Sequence, residues 1–211
     1  MAAKKLGLTL VLLAFLALVP GGCGILCNNP CGCNPTFPEQ SARIRSFELF
    51  TFSTGGQQIN PTLNQPYDQV VKAFRIKEFD LISSEERPSG FSWNLGTAYA
   101  CSPPPITVDK KLIGLSIINQ EEVILGDGTR WEVGQDLSDS FGMNSFFNST
   151  LIPIDEFIGE GLTLILEDFF KVGLKKDPGN NLDLKLSFNL VLENGETFQI
   201  SNEILSVRSK N

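Results

Sequence analysis

Any chemistry in this chain has to be done without histidine. None of its 211 residues is His, which removes Ser-His-Asp and Cys-His nucleophile pairs, His-bearing zinc sites and imidazole acid-base catalysis. Carboxylates, thiols, lysines and hydroxyls are left. Carboxylates stand side by side in Glu85-Glu86, Glu121-Glu122, Asp155-Glu156 and Glu167-Asp168. A glycosidase needs two carboxyls facing one bond across a cleft, whereas sequence neighbours on a strand point to opposite faces. These pairs are therefore expected on solvated surface, and no catalytic residue is assigned. Asp127-Gly128 and Asp136-Leu137-Ser138-Asp139 put oxygen ligands in loops but lack the spaced Asp/Asn pattern of a calcium loop. They are expected to serve turns, and no metal or cofactor is expected. Sixteen Phe against two Trp and two Tyr is a core-building composition. Trp93, Tyr99 and Trp131, the residues a sugar-binding face would display, are expected in core or rim packing.

Thiols are concentrated at one place. Cys23, Cys27, Cys31 and Cys33 lie within eleven residues, and Cys101 is the fifth. Ahead of them, Lys4 and Lys5 precede an apolar run from Leu6 to Val19 that Pro20-Gly21-Gly22 breaks. That run is shorter than the roughly 20 apolar residues of a membrane span and fits the h-region of a secretory signal. No Ala-x-Ala-like site lies near Pro20. Instead Gly21-Gly22-Cys23 resembles the lipobox of bacterial lipoproteins, with Pro20 where Leu is usual. The resemblance implies cleavage before Cys23 and its diacylation. Two or more acyl chains anchor a protein stably where one is marginal, so Cys23 is expected to hold the chain to a membrane.

With Cys23 lipidated, Cys27, Cys31, Cys33 and Cys101 remain, an even number that outside the cytoplasm suggests two disulfides. Pairing Cys31 with Cys33 would close a strained ring. Two connectivities are left: Cys27–Cys31 with Cys33–Cys101, or Cys27–Cys33 with Cys31–Cys101. Either ties the Cys-rich tether to the body. A redox pair would normally be Cys-x-x-Cys, and that spacing is absent.

The elements that must position any site read as strands. Arg43 to Phe52 is expected as a strand with Phe47 and Leu49 on one face and Phe50 and Phe52 on the other. Gln69 to Ile82 fits helix or strand spacing, and its β-branched content favours strand. Phe91 to Ala100, Lys111 to Ile118 and Gly161 to Phe170 are further expected strands. Val123 to Leu125 and Thr129 to Val133 flank Gly126-Asp127-Gly128 as a hairpin. Gly134 to Thr150 reads as polar and irregular, and Ile154 to Ile158 as a helical turn. Leu182, Leu184, Leu186, Phe188, Leu190 and Leu192 occupy every second position with Asp183, Lys185, Ser187 and Asn189 between them, giving a strand with one buried and one wet face. Asn194-Gly195 turns it into Glu196 to Ile200, and Ile204 to Val207 closes the sheet. About nine or ten strands at this spacing predict an all-β fold, an antiparallel β-sandwich of immunoglobulin-like or similar kind. The expected organisation is a signal peptide over 1–22, a Cys-rich tether over 23–40 and the sandwich over 41–211.

Charge bounds the partners. Losing Lys4 and Lys5 with the leader leaves 15 basic against 24 acidic side chains, a net of −9. An acidic body argues against nucleic acid and against basic-patch adhesion to anionic lipid. Tyr99-Ala100-Cys101-Ser102-Pro103-Pro104, the strand Leu112 to Ile118, and Asp136-Leu137-Ser138-Asp139 together resemble an uncharacterised lipoprotein family of Bacteroidetes over most of the mature chain. The resemblance implies lipid anchoring and a β-rich body and nothing catalytic. Surface-exported members of such families carry acidic residues after the lipidated cysteine, and here Gly24-Ile25-Leu26 follows. The implied location is the periplasmic face of the outer membrane. The expected function is a lipid-anchored envelope module, binding or structural, with an envelope protein or glycan as partner. The alternative is a carboxylate-dependent enzyme acting on envelope glycan or peptide.

Overall fold

A computed structural model describes residues 40–83 and 104–210. They hold twelve strands: β1 (Gln40–Ser53), β2 (Gln65–Pro66), β3 (Val70–Ser83), β4 (Thr107–Val108), β5 (Leu112–Asn119), β6 (Val123–Ile124), β7 (Arg130–Trp131), β8 (Phe141–Ser145), β9 (Ile152–Pro153), β10 (Phe170–Leu174), β11 (Leu182–Leu192) and β12 (Thr197–Arg208). One short helix, α1, covers Ile154–Ile158. Residues 40–84 and 105–211 make one compact unit. A second unit, 1–39 with 85–104, falls almost wholly outside the described residues, as does the expected strand Phe91 to Ala100.

Two sheets carry the fold. The larger runs in the order β4-β1-β3-β10-β8-β9 and the smaller β2-β12-β11-β5, with β6 and β7 as a separate hairpin. Ile44, Phe74 and Val172 from the first sheet share one core with Leu184, Phe188 and Val207 from the second. Phe47 sets its ring edge-on to Phe74 at 6.3 Å and to Phe198 of the opposite sheet at 5.2 Å, stitching the layers. This is an all-β sandwich. Its long pairings are antiparallel, and two short ones, β1 with β4 and β2 with β12, are parallel.

Alternation explains the faces. The six alternating apolar positions of β11, Leu182 to Leu192, are all buried, with Val191 of the other face partly so. In β1 the register with β3 slips between Ile44 and Phe47. This β-bulge moves the inward set from Ala42 and Ile44 to Phe47 and Leu49. Phe50 and Phe52 consequently point out of the sandwich, as their spacing predicts. The ambiguous segment is β3, a strand of 14 residues.

Three local expectations need correction. Gly134 to Thr150 is not all irregular, because Phe141–Ser145 forms β8 inside the larger sheet. Its alternation is masked by Gly142 and Asn144, residue types depleted in strands, on the face opposite Phe141 and Met143. Gly161 to Phe170 is not a strand. Leu162 bridges to Leu112 of the smaller sheet while Ile165 bridges to Thr107 of the larger, so the segment crosses between layers. The strand begins at Phe170. Finally, the strands expected at Glu196 to Ile200 and at Ile204 to Val207 are one continuous strand, β12 (Thr197–Arg208), which contains the left-handed Asn202 (φ 62°) and shifts register against β11 between Leu186 and Phe188.

Candidate functional site

Most of the residues singled out in the sequence do not converge. Cys23, Cys27, Cys31, Cys33 and Cys101 lie outside the described residues, as do Glu85, Glu86, Trp93 and Tyr99. Trp131 is buried in the core. Glu121 pairs with Lys185 at 3.1 Å and Glu122 with Arg130 at 3.2 Å, both on exposed surface. The loop aspartates do turn chemistry. Asp136 Oδ1 accepts the Ser138 amide at 2.8 Å, and Asp127 Oδ1 accepts the Thr129 amide at 2.8 Å. That amide holds the Asp127 carboxyl below its ordinary value.

What the fold does assemble lies on the outward face of the larger sheet. Phe50 of β1 meets Phe52, Phe52 meets Phe146 and Phe146 meets Phe169, with ring centroids 6.2, 5.0 and 5.8 Å apart in turn. The Arg75 guanidinium stands 5.2 Å from both the Phe50 and Phe169 ring centres, held by a 2.5 Å bond to Glu48. At the end of this strip Phe147 is 96 % exposed, touching Phe146 edge-on.

The segment after Phe147 folds back over the sheet because two glycines clear its path. Gly142 and Gly173 are register partners. A Cβ on Gly142 would sit 2.8 Å from Leu151 Cβ and 2.9 Å from the Ile152 carbonyl. One on Gly173 would lie 3.1 Å from Leu151 and Val71. Beside this lid is a cleft of about 320 Å³, lined by Thr54, Tyr67, Asp68, Ser149, Lys171 and Lys175 among others. Lys171 is only 7 % exposed, yet among the described residues no carboxylate answers it. Its ammonium donates to the Asn148 carbonyl, and desolvation lowers its pKa. Asp68 already accepts from Lys210.

A second cleft, of about 300 Å³, lies on the other side of Lys175. Asp139 and Asp155 line it over a floor that includes Leu115 and Ile158. Asp139 comes from the turn before β8 and Asp155 from the first turn of α1. This is the one pair of carboxylates that the two clefts bring together, and the two residues stand too far apart in the chain for adjacency to mark them. Lys171 alternates with Val172 in β10 and so faces outward, but nothing in the sequence marks it or Lys175 as part of a site.

One more ionic contact is internal. Lys72 of β3, 1 % exposed, reaches across the sandwich to Glu203 of β12 at 2.8 Å. Desolvation lowers the Lys72 pKa, and Glu203 opposes that shift. Among the described residues no helix is long and apolar enough to cross a membrane.

No protein-family profile matches the sequence, and no curated protein matches it. Among solved structures, the chain is similar to the C-terminal domain of the Streptococcus pyogenes antigen I/II-family protein AspA. Identity is 12%, with 78% of this chain and 47% of that one covered and a TM-score of 0.25. It is also similar to the C-terminal domain of the Streptococcus agalactiae antigen I/II polypeptide BspA, at 13% identity, 82% and 50% coverage and a TM-score of 0.25. The chain thus spans about half the length of these structures.

Proposed function

We propose that the chain is a lipid-anchored binding module of the bacterial cell envelope, held by Cys23 at the periplasmic face of the outer membrane. Its docking surface is the outward face of the larger sheet. The observation that carries this is Phe147, a fully displayed aromatic at the end of a packed strip of Phe50, Phe52, Phe146 and Phe169. Exposing a large apolar ring to water costs free energy that a partner recovers by covering it, and rigid aromatic anchors dominate interface energetics. A strip built from Phe, without Tyr or Trp, suits an envelope protein better than a glycan.

Two experiments test the two halves. Cys23→Ser is expected to move the protein from the membrane to the soluble fraction, and unchanged fractionation contradicts anchoring. Phe147→Ala is expected to weaken capture of the envelope partner from solubilised membranes by roughly fivefold or more, the loss of an anchor worth over about 1 kcal/mol. Equal capture by wild type and variant contradicts docking through this face.

A second reading has one observation in its favour. Asp139 and Asp155 line a single cleft, the arrangement a carboxylate-dependent hydrolase requires. That reading expects purified protein to release reducing ends from envelope glycan, with Asp139→Asn and Asp155→Asn each abolishing release. No release by the wild type removes it.

A further inference from the structure

We propose that the cleft between Lys171 and Lys175 binds a small organic oxyanion, a phosphate or carboxylate carried on a body of about monosaccharide size.

The argument begins with charge. The whole chain carries 24 acidic and 17 basic residues, yet the side chains lining this cleft include two lysines and one aspartate, and that aspartate is engaged by Lys210. A cleft of net positive charge in a protein of net negative charge concentrates anions. Lys171 supplies the second observation. Burying a cation is costly unless it is paired, and on the inner face of the same sheet Lys72 meets that cost with Glu203. Lys171 meets it with a neutral backbone carbonyl and faces open volume instead.

Geometry makes the two lysines one site. Lys171 lies on the outward face of β10 and Lys175 in the bend just after that strand's last residue, Leu174, and both line this cleft. Leu151 packs over Gly173 and Gly142 between them and lines the same cleft as the two lysines. Long flexible stems let both ammonium groups close on one anion. Thr54, Ser149 and Tyr67 on the rim add hydroxyl donors. The cleft volume, about 320 Å³, exceeds a bare ion and leaves room for a hydroxylated body. Charge-assisted bonds of this kind are the strong ones. The site stands apart from the docking reading, because Phe147 takes no part in it.

Calorimetric titration of the purified full chain tests the proposal, with glucose 6-phosphate and glucuronate as charged probes and glucose as the neutral one. At least one charged probe is expected to bind saturably and at least tenfold more tightly than glucose, and to weaken as salt rises. The two charged probes distinguish phosphate from carboxylate. Lys171→Gln and Lys175→Gln are each expected to weaken it about tenfold or more, while Phe147→Ala leaves it unchanged. Lys175 is exposed, so its variant decides the matter even if Lys171→Gln misfolds. Failure of both charged probes to bind, or binding that survives Lys175→Gln undiminished, overturns the proposal. Loss of partner capture in Phe147→Ala with anion binding intact separates the two surfaces.

Discussion

Lys72 and Lys171 occupy neighbouring strands of one sheet and opposite faces of it. Lys72 sits opposite Val172 in the pairing of β3 with β10, one position from Ala73 opposite Lys171. Both are buried and both have a pKa lowered chiefly by desolvation. The inner one is answered by a carboxylate from the second sheet; the outer one is answered by a carbonyl oxygen and a cleft. The difference separates a structural cation from one with unused binding capacity. A buried charge whose partner is built into the fold pins two layers together. A buried charge without such a partner marks where a partner from outside can be accommodated.

The sharpest way to break this contrast is to remove the built-in partner. Glu203→Gln leaves Lys72 buried against a neutral group and is expected to cost about 3 kcal/mol, the lower part of the range for orphaned buried charges because Glu203 is 24 % exposed. The double variant Lys72→Met with Glu203→Leu should recover most of that loss. Chemical denaturation of the three proteins measures both numbers, and a negligible effect of Glu203→Gln would assign no structural role to the pair.

Next in size is the floor beneath the outer lysines. Gly142→Ala forces a Cβ to within 2.8 Å of Leu151 and 2.9 Å of backbone, and such overpacking is expected to cost about 1–3 kcal/mol. Gly114 lines the acidic cleft, and a Cβ there would meet Val191 at an ordinary 3.7 Å. Gly114→Ala should therefore stay within about 0.5 kcal/mol. Thermal melts that rank the two the other way would contradict the account of how residues 146–151 lie on the sheet.

Smaller still is the effect of Lys171 itself. Lys171→Met removes a desolvated cation without stranding any carboxylate, so the expected change is below about 1 kcal/mol and can be stabilising. The pH dependence shares this sign. Between the lowered folded-state pKa of Lys72 and Lys171 and the ordinary lysine value of 10.5, the unfolded chain binds more protons than the folded one. Stability therefore rises with pH across that window. Lys171→Met should flatten the rise, which denaturant midpoints between pH 8 and 10.5 would report.

How far the sequence foretold this depends on the kind of signal. The hairpin of β11 and β12 was plain because apolar residues fill every second position of Leu182–Leu192, and Asn194-Gly195 supplies its turn. The faces of β1 were legible for the same reason, although the bulge that sets them leaves no mark in the sequence. β8 was hidden because Gly142, which leaves the room that Leu151 needs, and Asn144, whose side chain donates to the Thr150 carbonyl, are poor strand formers. The segment 162–166 misled in the opposite sense, since its alternating leucines serve two sheets in turn. The site fared worst. Asp139 and Asp155 are sixteen positions apart and meet through tertiary packing. Lys171 and Lys175 look like ordinary solvated lysines until the lid that buries one of them is in place.

Nuclear magnetic resonance of lysine side-chain amines compares the two cations most directly. Titrating pH with and without whichever charged probe binds in the calorimetric titration, glucose 6-phosphate or glucuronate, is expected to raise the apparent pKa of Lys171, because a bound anion favours its ammonium form, and to leave Lys72 unmoved. Movement of Lys72 and Lys171 alike, or of neither, would contradict the division between an inner structural cation and an outer binding one.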